Sequence, residues 1–526
     1  MSFKEFISQK QNIHLSTSQA HAVIKIDEFL NSPVYQTFIF KGAAGSGKTF
    51  LSALLREYLP NRTYIYTPTG RAAKVIKSMI ADKHKRNNVS TIHKGIYTWE
   101  RDETEYSEDL PNVPENVSKI TRFYKLAQNK DQYNTVYICD ESSMISNRKA
   151  KSPSIVFGSG FLLKDIFQFI GQRKIIFVGD NAQLAPINME SSPALDKKYL
   201  EETFGLKVME IELTEIMRQK KHSGILKNAS EIRNSIKQRQ YDVISLPVHD
   251  DVKKIGSVEA INLCAEHFNP ARFENCMMIT HTRKLSHEYN TKIRNKIFPQ
   301  VQTNNEFFTV GDRLVCARNN YLYELFNGEL LKVNKVFSGE NDVTKKVIKL
   351  FPSEREKESY KKELEADGRI HVELVYRKAE LEYYDAYGNT SIIECLLLEN
   401  SVQTDDLALP EIEERALYVE FKMRHNIEIN KYKVENNREH LSSEEIRLAI
   451  ENGEIATNPT TDPYLNAIIS KYGYSLTTHK SQGGEWKRAM VDFDTKFWNK
   501  ENEQFFRWCY TGITRAKDEL FIVNGN

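Results

Sequence analysis

A chain of 526 residues with 40% hydrophobic and 11% aromatic side chains has the length of about three to four domains and enough apolar matter for their cores, which excludes wholesale disorder. Its 73 basic and 71 acidic residues leave a net charge of +2, so no global field draws it to a polyanion or an anionic membrane and any such site must be local. Apolar runs such as IIFV at 175–178 are far too short to span a bilayer, MSFKEFISQK lacks the apolar core of a signal peptide, and the 6 scattered cysteines form no C-x-x-C pair; a soluble, cytoplasmic protein is expected.

In chain order, the first two hundred residues repeat a short β-rich run, a turn bearing Gly or Pro, and a helical pattern. FIFK (38–41) leads to a glycine loop and TFLSALLREYL, TYIYTP (63–68) leads to GRAAKVIKSMI, and TVYICDE (135–141) and KIIFVGD (174–180) end in polar residues. This alternation predicts an α/β fold with a parallel, doubly wound sheet whose ligands sit at the carboxyl ends of the strands. A polar stretch at 94–134 with no apolar period interrupts it as a surface insertion. The rhythm returns at 206–304 and at 466–526, read as two halves of a second α/β domain. They are split by an insertion at 305–465 that begins with period-two alternation and an Asn-Gly turn, as in a small barrel. Its later part, 411–452, is helical, with a capping box at Ser442 and Glu445.

The residues that carry chemistry lie where strands stop. Gly42, Ala43, Ala44, Gly45, Ser46, Gly47, Lys48 and Thr49 match the P-loop pattern between a predicted strand and helix. Backbone N–H groups of such a loop cradle phosphates, Lys48 reaches the outer oxygens, and the Thr49 hydroxyl can hold Mg²⁺. Asp140 and Glu141 end another apolar strand, one placed to hold Mg²⁺ and the next to polarise an attacking water; the alternative for Asp140 is a helix cap. Gln183 follows KIIFVGD and is either a γ-phosphate sensor or a loop amide. Arg218 in ELTEIMRQ and Arg515 in YTGITRAKDE suit a transferring phosphoryl group, although arginines at such positions also serve as surface ion-pair partners.

The motif order is similar to that of superfamily 1 DNA helicases, in the group B branch with the RecD-like and phage Dda-like 5′-to-3′ enzymes. The resemblance is carried by STSQAHAV (16–23), GAAGSGKT, TPTGRAAKVI (67–76), STIH (90–93), CDESSM, GDNAQLAPI (179–187), LTEIMRQ (213–219), TTHKSQGGEW (477–486) and YTGITRAKDEL (510–520). It implies two RecA-like P-loop domains with parallel sheets, ATP and Mg²⁺ at their interface, and single-stranded DNA crossing both. It further implies adenine contact by Gln19, a nucleotide-contacting acid at Glu485, and arginine fingers at Arg218 and Arg515. The strand-touching positions it marks are Pro68, Thr69, Arg71, Thr91, His93, Thr280, Thr478 and His479, with Arg283 a weaker one; several of these could instead be helix caps or packed histidines.

By the same resemblance 94–134 corresponds to a duplex-splitting pin, with Tyr97, Trp99, Tyr106, Phe123 and Tyr124 as stacking or wedge residues. The β-rich insertion corresponds to an SH3-like domain. Gly70 stands where Dda-like proteins carry a bulky residue, so stacking there must come from elsewhere. The expected protein is a monomeric 5′-to-3′ helicase acting on single strands and single-strand/duplex junctions. A different expectation is a DNA-stimulated ATPase module with protein partners in a DNA-processing complex; a small-molecule kinase is disfavoured by the second α/β domain.

Overall fold

The computed structural model describes residues 1–10, 13–80, 88–106, 114–150, 155–216, 223–242, 244–270, 272–301, 306–339, 341–352, 354–366, 368–384, 389–406, 408–494 and 501–525. The amino-terminal part contains β1 (Thr37–Gly42), β2 (Thr63–Thr67) and β3 (Val89–Thr91), then a hairpin of β4 (Tyr97–Tyr106) and β5 (Val117–Leu126), then β6 (Val136–Cys139), β7 (Ile155–Phe157), β8 (Lys174–Gly179) and β9 (Val208–Leu213). Six of these form one sheet in the order β3-β2-β6-β8-β1-β9, with every pairing parallel. Period-two alternation along β1 sends Phe38 and Phe40 into the core on one face and Ile39 into the core on the other, so both faces are covered by helices. The order places β6, β8 and β1 side by side, and their carboxyl ends carry Asp140, Asp180 and the P-loop.

The carboxy-terminal part opens with β10 (Val252–Ile255) and β11 (Cys276–Thr280). An inserted set follows: β12 (Arg313–Cys316), β13 (Leu330–Val336), β14 (Val343–Leu350), β15 (Ile370–Tyr384), β16 (Thr390–Leu398) and β17 (Ser470–Tyr472). The chain then returns through β18 (Ser475–Thr477), β19 (Trp486–Asp492) and β20 (Ala516–Val523). The second sheet runs β10-β20-β19-β11-β18, again all parallel. Two RecA-like parallel sheets are therefore present. The inserted sheet is antiparallel, organised on the long β15, which pairs with β13 and β14 along one edge and β16 along the other. Helix Glu411–Glu435 packs Ile412, Ala416, Val419 and Phe421 against this sheet, and the capping box at Ser442 and Glu445 starts helix Ser443–Glu451.

Two expected boundaries are corrected. Residues 208–213 were placed in the second domain, but β9 pairs with β1 over Thr37↔Val208 to Gly42↔Leu213 and forms an edge of the first sheet. Residues 470–472 were placed in the returning half of the second domain, but β17 pairs with β12 in the inserted sheet. The polar stretch after residue 93 is a β4–β5 ribbon extended by β7, and its Val117, 1% exposed, is buried in the core of the insertion. Of its aromatics, Tyr97 is buried with its hydroxyl donating to Asp165 at 2.7 Å, Tyr124 stacks on Phe157, Phe123 lies under the Arg101 guanidinium, and Trp99 is exposed. The Tyr106 side chain lies outside the described ones. All six cysteines are free and buried, and no helix among the described residues is long and apolar enough to cross a membrane.

Candidate functional site

The P-loop joins the end of β1 to helix Lys48–Tyr58. Gly45 and Gly47 have φ of +77° and +92°, a region that side chains with a Cβ avoid. Lys48 Nζ donates to the carbonyls of Gly42 and Ala43 at 2.8 and 2.9 Å. Burial pulls this ammonium below its ordinary pKa, while Asp180, Glu141 and Asp140 favour the charged form. Gln19 closes a capping box on helix Thr17–Asn31, accepting from Ser16 N–H at 3.0 Å, and its Nε2 donates to the Ser46 carbonyl at 2.9 Å. A Cβ at Gly47 would overlap that Nε2. Gln19 thus braces the loop from behind.

Asp140, at the end of β6, is buried; it accepts the Glu141 N–H at 2.8 Å and is hydrogen-bonded to the Thr49 side chain. Burial raises its pKa against those hydrogen bonds and Lys48. Glu141 adopts φ +53°, a left-handed conformation costing a non-glycine residue about 1–3 kcal/mol, and its carboxyl is raised by burial and by Asp140, with Arg515 and Lys48 opposing. Asp180 ends β8 and is also buried. It accepts from Arg233, from Tyr510 Oη at 2.7 Å and from Ala182 N–H at 3.0 Å. Burial works to raise its pKa, but Arg233 and Lys48 hold it below the ordinary range. Gln183, on the same loop, is buried with Oε1 lacking a hydrogen-bond partner.

The second parallel domain faces these groups. Helix Glu503–Ile513 presents Arg507, whose guanidinium donates to the carbonyls of Asn181 and Gln183, and Thr511, whose hydroxyl accepts Leu184 N–H at 3.0 Å. Just beyond, Arg515 is 3% exposed, donates to Thr511 O at 2.9 Å and Gly484 O at 3.2 Å, and acts electrostatically on Glu141. A cleft between the domains is lined by Ala43, Ala44, Gly45, Arg233, Glu485 and Tyr510; Glu485 lies 3.6 Å from Lys517. Arg218 lies outside the described residues.

The strand-touching candidates fall at the carboxyl ends of β2, β3, β11 and β18, in both sheets. Thr69 and Thr91 cap the helices Gly70–Met79 and Ile92–Ile96, accepting from Ala72 and Lys94 N–H at 3.3 Å each. Pro68 precedes the first of these and is half-buried. His93 packs edge-on to Phe157 at 4.7 Å, and burial lowers its pKa. Burial likewise lowers the pKa of His479, which adjoins His281.

Three candidates are placed differently from expectation. Thr280 and Thr478 are fully buried, with Thr478 Oγ1 donating to Thr280 O at the end of the neighbouring β11 at 3.1 Å and Thr280 Oγ1 to Thr282 O in the turn that follows its own strand at 3.3 Å. Arg71 lies at the domain seam, its guanidinium 4.6 Å from the Trp486 ring centroid and its pKa pushed down to about 10 by burial and Arg515. Thr282 caps helix Arg283–Ile297, so Arg283 starts that helix beside a cleft shared with Lys471, Thr477 and Lys480. Across the seam, Phe326 of the insertion occupies the space that a side chain at Gly70 would need, and Lys74 pairs with the buried Glu329 at 2.6 Å.

Residues 14–249 match the family model described as AAA domain, and residues 472–523 match the UvrD-like helicase C-terminal domain. Both matched segments lie in the two parallel-sheet domains that form the seam. The chain is 24% identical to an uncharacterised protein of Acanthamoeba polyphaga mimivirus, over 96% of this chain and 99% of that protein. It is 26% identical to an uncharacterised protein of Methanocaldococcus jannaschii, over 57% of this chain and 28% of that one. Among solved structures it is similar to the Pif1 helicase from Bacteroides in complex with ADP-AlF3 and ssDNA, with 15% identity, 98% of this chain and 93% of that chain covered, and a TM-score of 0.43. It is also similar to the Pif1 helicase from Candida albicans, with 16% identity, 98% and 95% covered, and a TM-score of 0.42.

Three groups at the domain seam were not singled out from sequence. Asp180 stood inside a quoted strand-end motif, and its position after a buried apolar strand was the available signal. Tyr510 stood inside the motif of Arg515. Arg233 lies on helix Gly224–Gln238 with no local pattern to mark it, and only the tertiary pairing with Asp180 reveals it.

Proposed function

We propose that this protein uses ATP to move 5′ to 3′ along single-stranded DNA and to separate duplexes at single-strand junctions. The observation that carries the reading is the seam itself: the P-loop, Asp140, Glu141 and Asp180 from one parallel sheet meet Arg233, Tyr510 and Arg515 from the other. Such a site exists only while the two domains are together, so phosphate cleavage is coupled to their relative position.

In this reading the loop amides of 42–49 and Lys48 hold the phosphates, Gln19 meets the adenine edge while bracing the loop, and Glu485 contacts the nucleotide from the second domain. Glu141 orients the attacking water, Gln183 senses the terminal phosphate, and Arg515 and Arg218 stabilise charge on it. Thr49 and Asp140 fit Mg²⁺, since a hydroxyl and a buried carboxylate already share one hydrogen bond there and Mg²⁺ takes its remaining ligands from phosphate and water. When bound, Mg²⁺ neutralises phosphate charge.

The strand lies across the capped helix starts after Pro68, Thr69 and Thr91 in the first domain and Thr477 in the second, where backbone N–H groups and helix dipoles favour phosphates. His93 and His479 flank these positions; Thr280 and Thr478 support the turns from beneath. The protein acts as a monomer in the cytoplasm, and its partners are single strands, forked junctions and proteins of a DNA-processing complex.

The test is ATP-dependent separation of matched 5′-tailed and 3′-tailed DNA duplexes with an RNA-tailed control. Unwinding from the 5′ tail alone is expected. DNA-stimulated ATP hydrolysis without separation on either tail would replace the motor by a DNA-stimulated ATPase module.

A further inference from the structure

We infer that Tyr510 is a clasp between the two domains that the terminal phosphate of ATP displaces. This rests on the ATPase reading above and adds the residue that reports phosphate occupancy to the second domain. Tyr510 sits on helix Glu503–Ile513 and is 2% exposed. Its hydroxyl donates to Asp180 Oδ2 at 2.7 Å and accepts from Ala44 N–H at 3.2 Å and from Arg233 Nη1 at 3.3 Å. One donor and two acceptor positions are the full capacity of a phenol, so this hydroxyl is completely committed, partly to the P-loop itself.

An amide N–H has one proton to give, so Ala44 serves either the Tyr510 hydroxyl or a phosphate oxygen. Position within the loop indicates which phosphate. Gly47, Lys48 and Thr49 open helix Lys48–Tyr58 and offer their N–H groups to the inner phosphates. Ala44 lies on the opposite limb, against the wall formed by Asp180, Arg233 and the second domain, which in this proposal receives the terminal phosphate that a diphosphate lacks.

Loss of the Ala44 contact is not confined to one bond. The same helix grips the loop after β8 through Arg507 and Thr511, and Arg515 hydrogen-bonds to Thr511 O at 2.9 Å. Freeing Tyr510 from the P-loop while Arg507 and Thr511 keep hold of the Gln183 loop lets the helix turn about those contacts and carry Arg515 with it. Tyr510 is therefore a positioning residue that acts through Arg515 and the loop.

The experiment uses the full chain with Tyr510→Phe, which keeps the ring and leaves Asp180 paired with Arg233 and Ala182. A non-hydrolysable ATP analogue and ADP are titrated against both proteins, and hydrogen–deuterium exchange is followed over residues 42–48. The variant should bind the analogue about three- to tenfold more tightly, since one competing hydrogen bond is gone, with ADP affinity unchanged and faster exchange at the loop before nucleotide is added. Equal or weaker analogue binding by the variant, or an equal gain for ADP, would overturn the clasp. If Tyr510→Phe does not fold, the wild type decides: the analogue must speed exchange over 503–513 relative to ADP, and identical exchange rejects the proposal. A wild type that binds neither nucleotide rejects the ATPase reading as well.

Discussion

Replacing Arg233 by Met removes the guanidinium from a buried carboxylate while keeping much of its apolar stem. Asp180 is 1% exposed and would keep the Tyr510 hydroxyl and the Ala182 N–H as hydrogen-bond donors and Lys48 as its remaining cation. Stripping one partner from a buried ion pair costs about 3–5 kcal/mol, a large part of a typical total stability of about 5–15 kcal/mol. The second contact of Arg233, to Glu212, contributes little because that carboxylate is 42% exposed. In the wild type Arg233 and Lys48 hold the Asp180 pKa below its unfolded value, so its contribution is present above the ordinary carboxylate range and is lost only as pH falls through the depressed value. In Arg233→Met the expectation is that burial outweighs what Lys48, Tyr510 and Ala182 still supply and raises the carboxyl; the folded state then holds a proton that the unfolded state has released, and stability falls as pH rises. At 1.36 kcal/mol per unit, a penalty of about 3 kcal/mol corresponds to about two units, a folded value of about 6, so the gap between wild type and variant should widen by about 1.4 kcal/mol from pH 5 to pH 8, the rest of the change lying below pH 5. Urea unfolding at several pH values measures the gap, and the same substitution in an Asp180→Asn background completes a double-mutant cycle. A gap of under about 0.5 kcal/mol at every pH, or an equal cost in both backgrounds, would refute the assignment of Arg233 as the counter-charge of Asp180.

Glu329 is 5% exposed and burial lifts its carboxyl to about 7 despite Lys74, so the wild type should lose about 3 kcal/mol relative to Glu329→Gln between pH 5 and pH 8, read from paired unfolding curves. Val117→Asp places a charge in the core shared by the β4–β5 ribbon and the insertion; strand separation should fall at least tenfold while single-strand-stimulated ATP hydrolysis persists, assayed side by side. Gly47→Ala adds a Cβ where φ is +92° and the Gln19 amide already stands, so nucleotide binding measured by calorimetry should be lost while DNA binding measured by anisotropy remains.

What could be read from the sequence was what a few neighbouring residues determine. The P-loop was legible because its glycines and the flanking strand and helix lie within one short stretch, and Asp140 because a carboxylate at the end of an apolar strand has few structural uses. The sheet to which β9 belongs was not legible, since the alternation in VMEIEL fits an edge strand of either domain and only pairing with β1 decides. Nor was the fate of Thr280 and Thr478. A threonine at a strand end can cap, face a ligand or satisfy the turn beneath it, and the choice depends on whether β11 and β18 are neighbours. Arg71 illustrates the same limit, because Trp486, the ring it stacks on, lies more than four hundred residues away in the chain. The absent bulk at Gly70 was visible, but that Phe326 fills the space from another domain was not.

The β4–β5 ribbon constrains how the seam can open. Its base is tied to the first domain through Tyr97 and Asp165, and Val117 farther along is buried in an insertion that emerges from the second. A ribbon anchored at both ends resists a change in the separation of its anchors, so pulling the domains straight apart would have to extract Val117 and break Lys74–Glu329 together. Two-stranded ribbons twist more readily than wide sheets. A rotation that twists the ribbon leaves both anchors intact and shears the opposite side of the seam, where Asp180 meets Arg233 and Tyr510 and where hydrolysis would act. The polar contacts that must exchange in such a rotation are thus concentrated beside the P-loop, while the apolar ones stay buried along the ribbon.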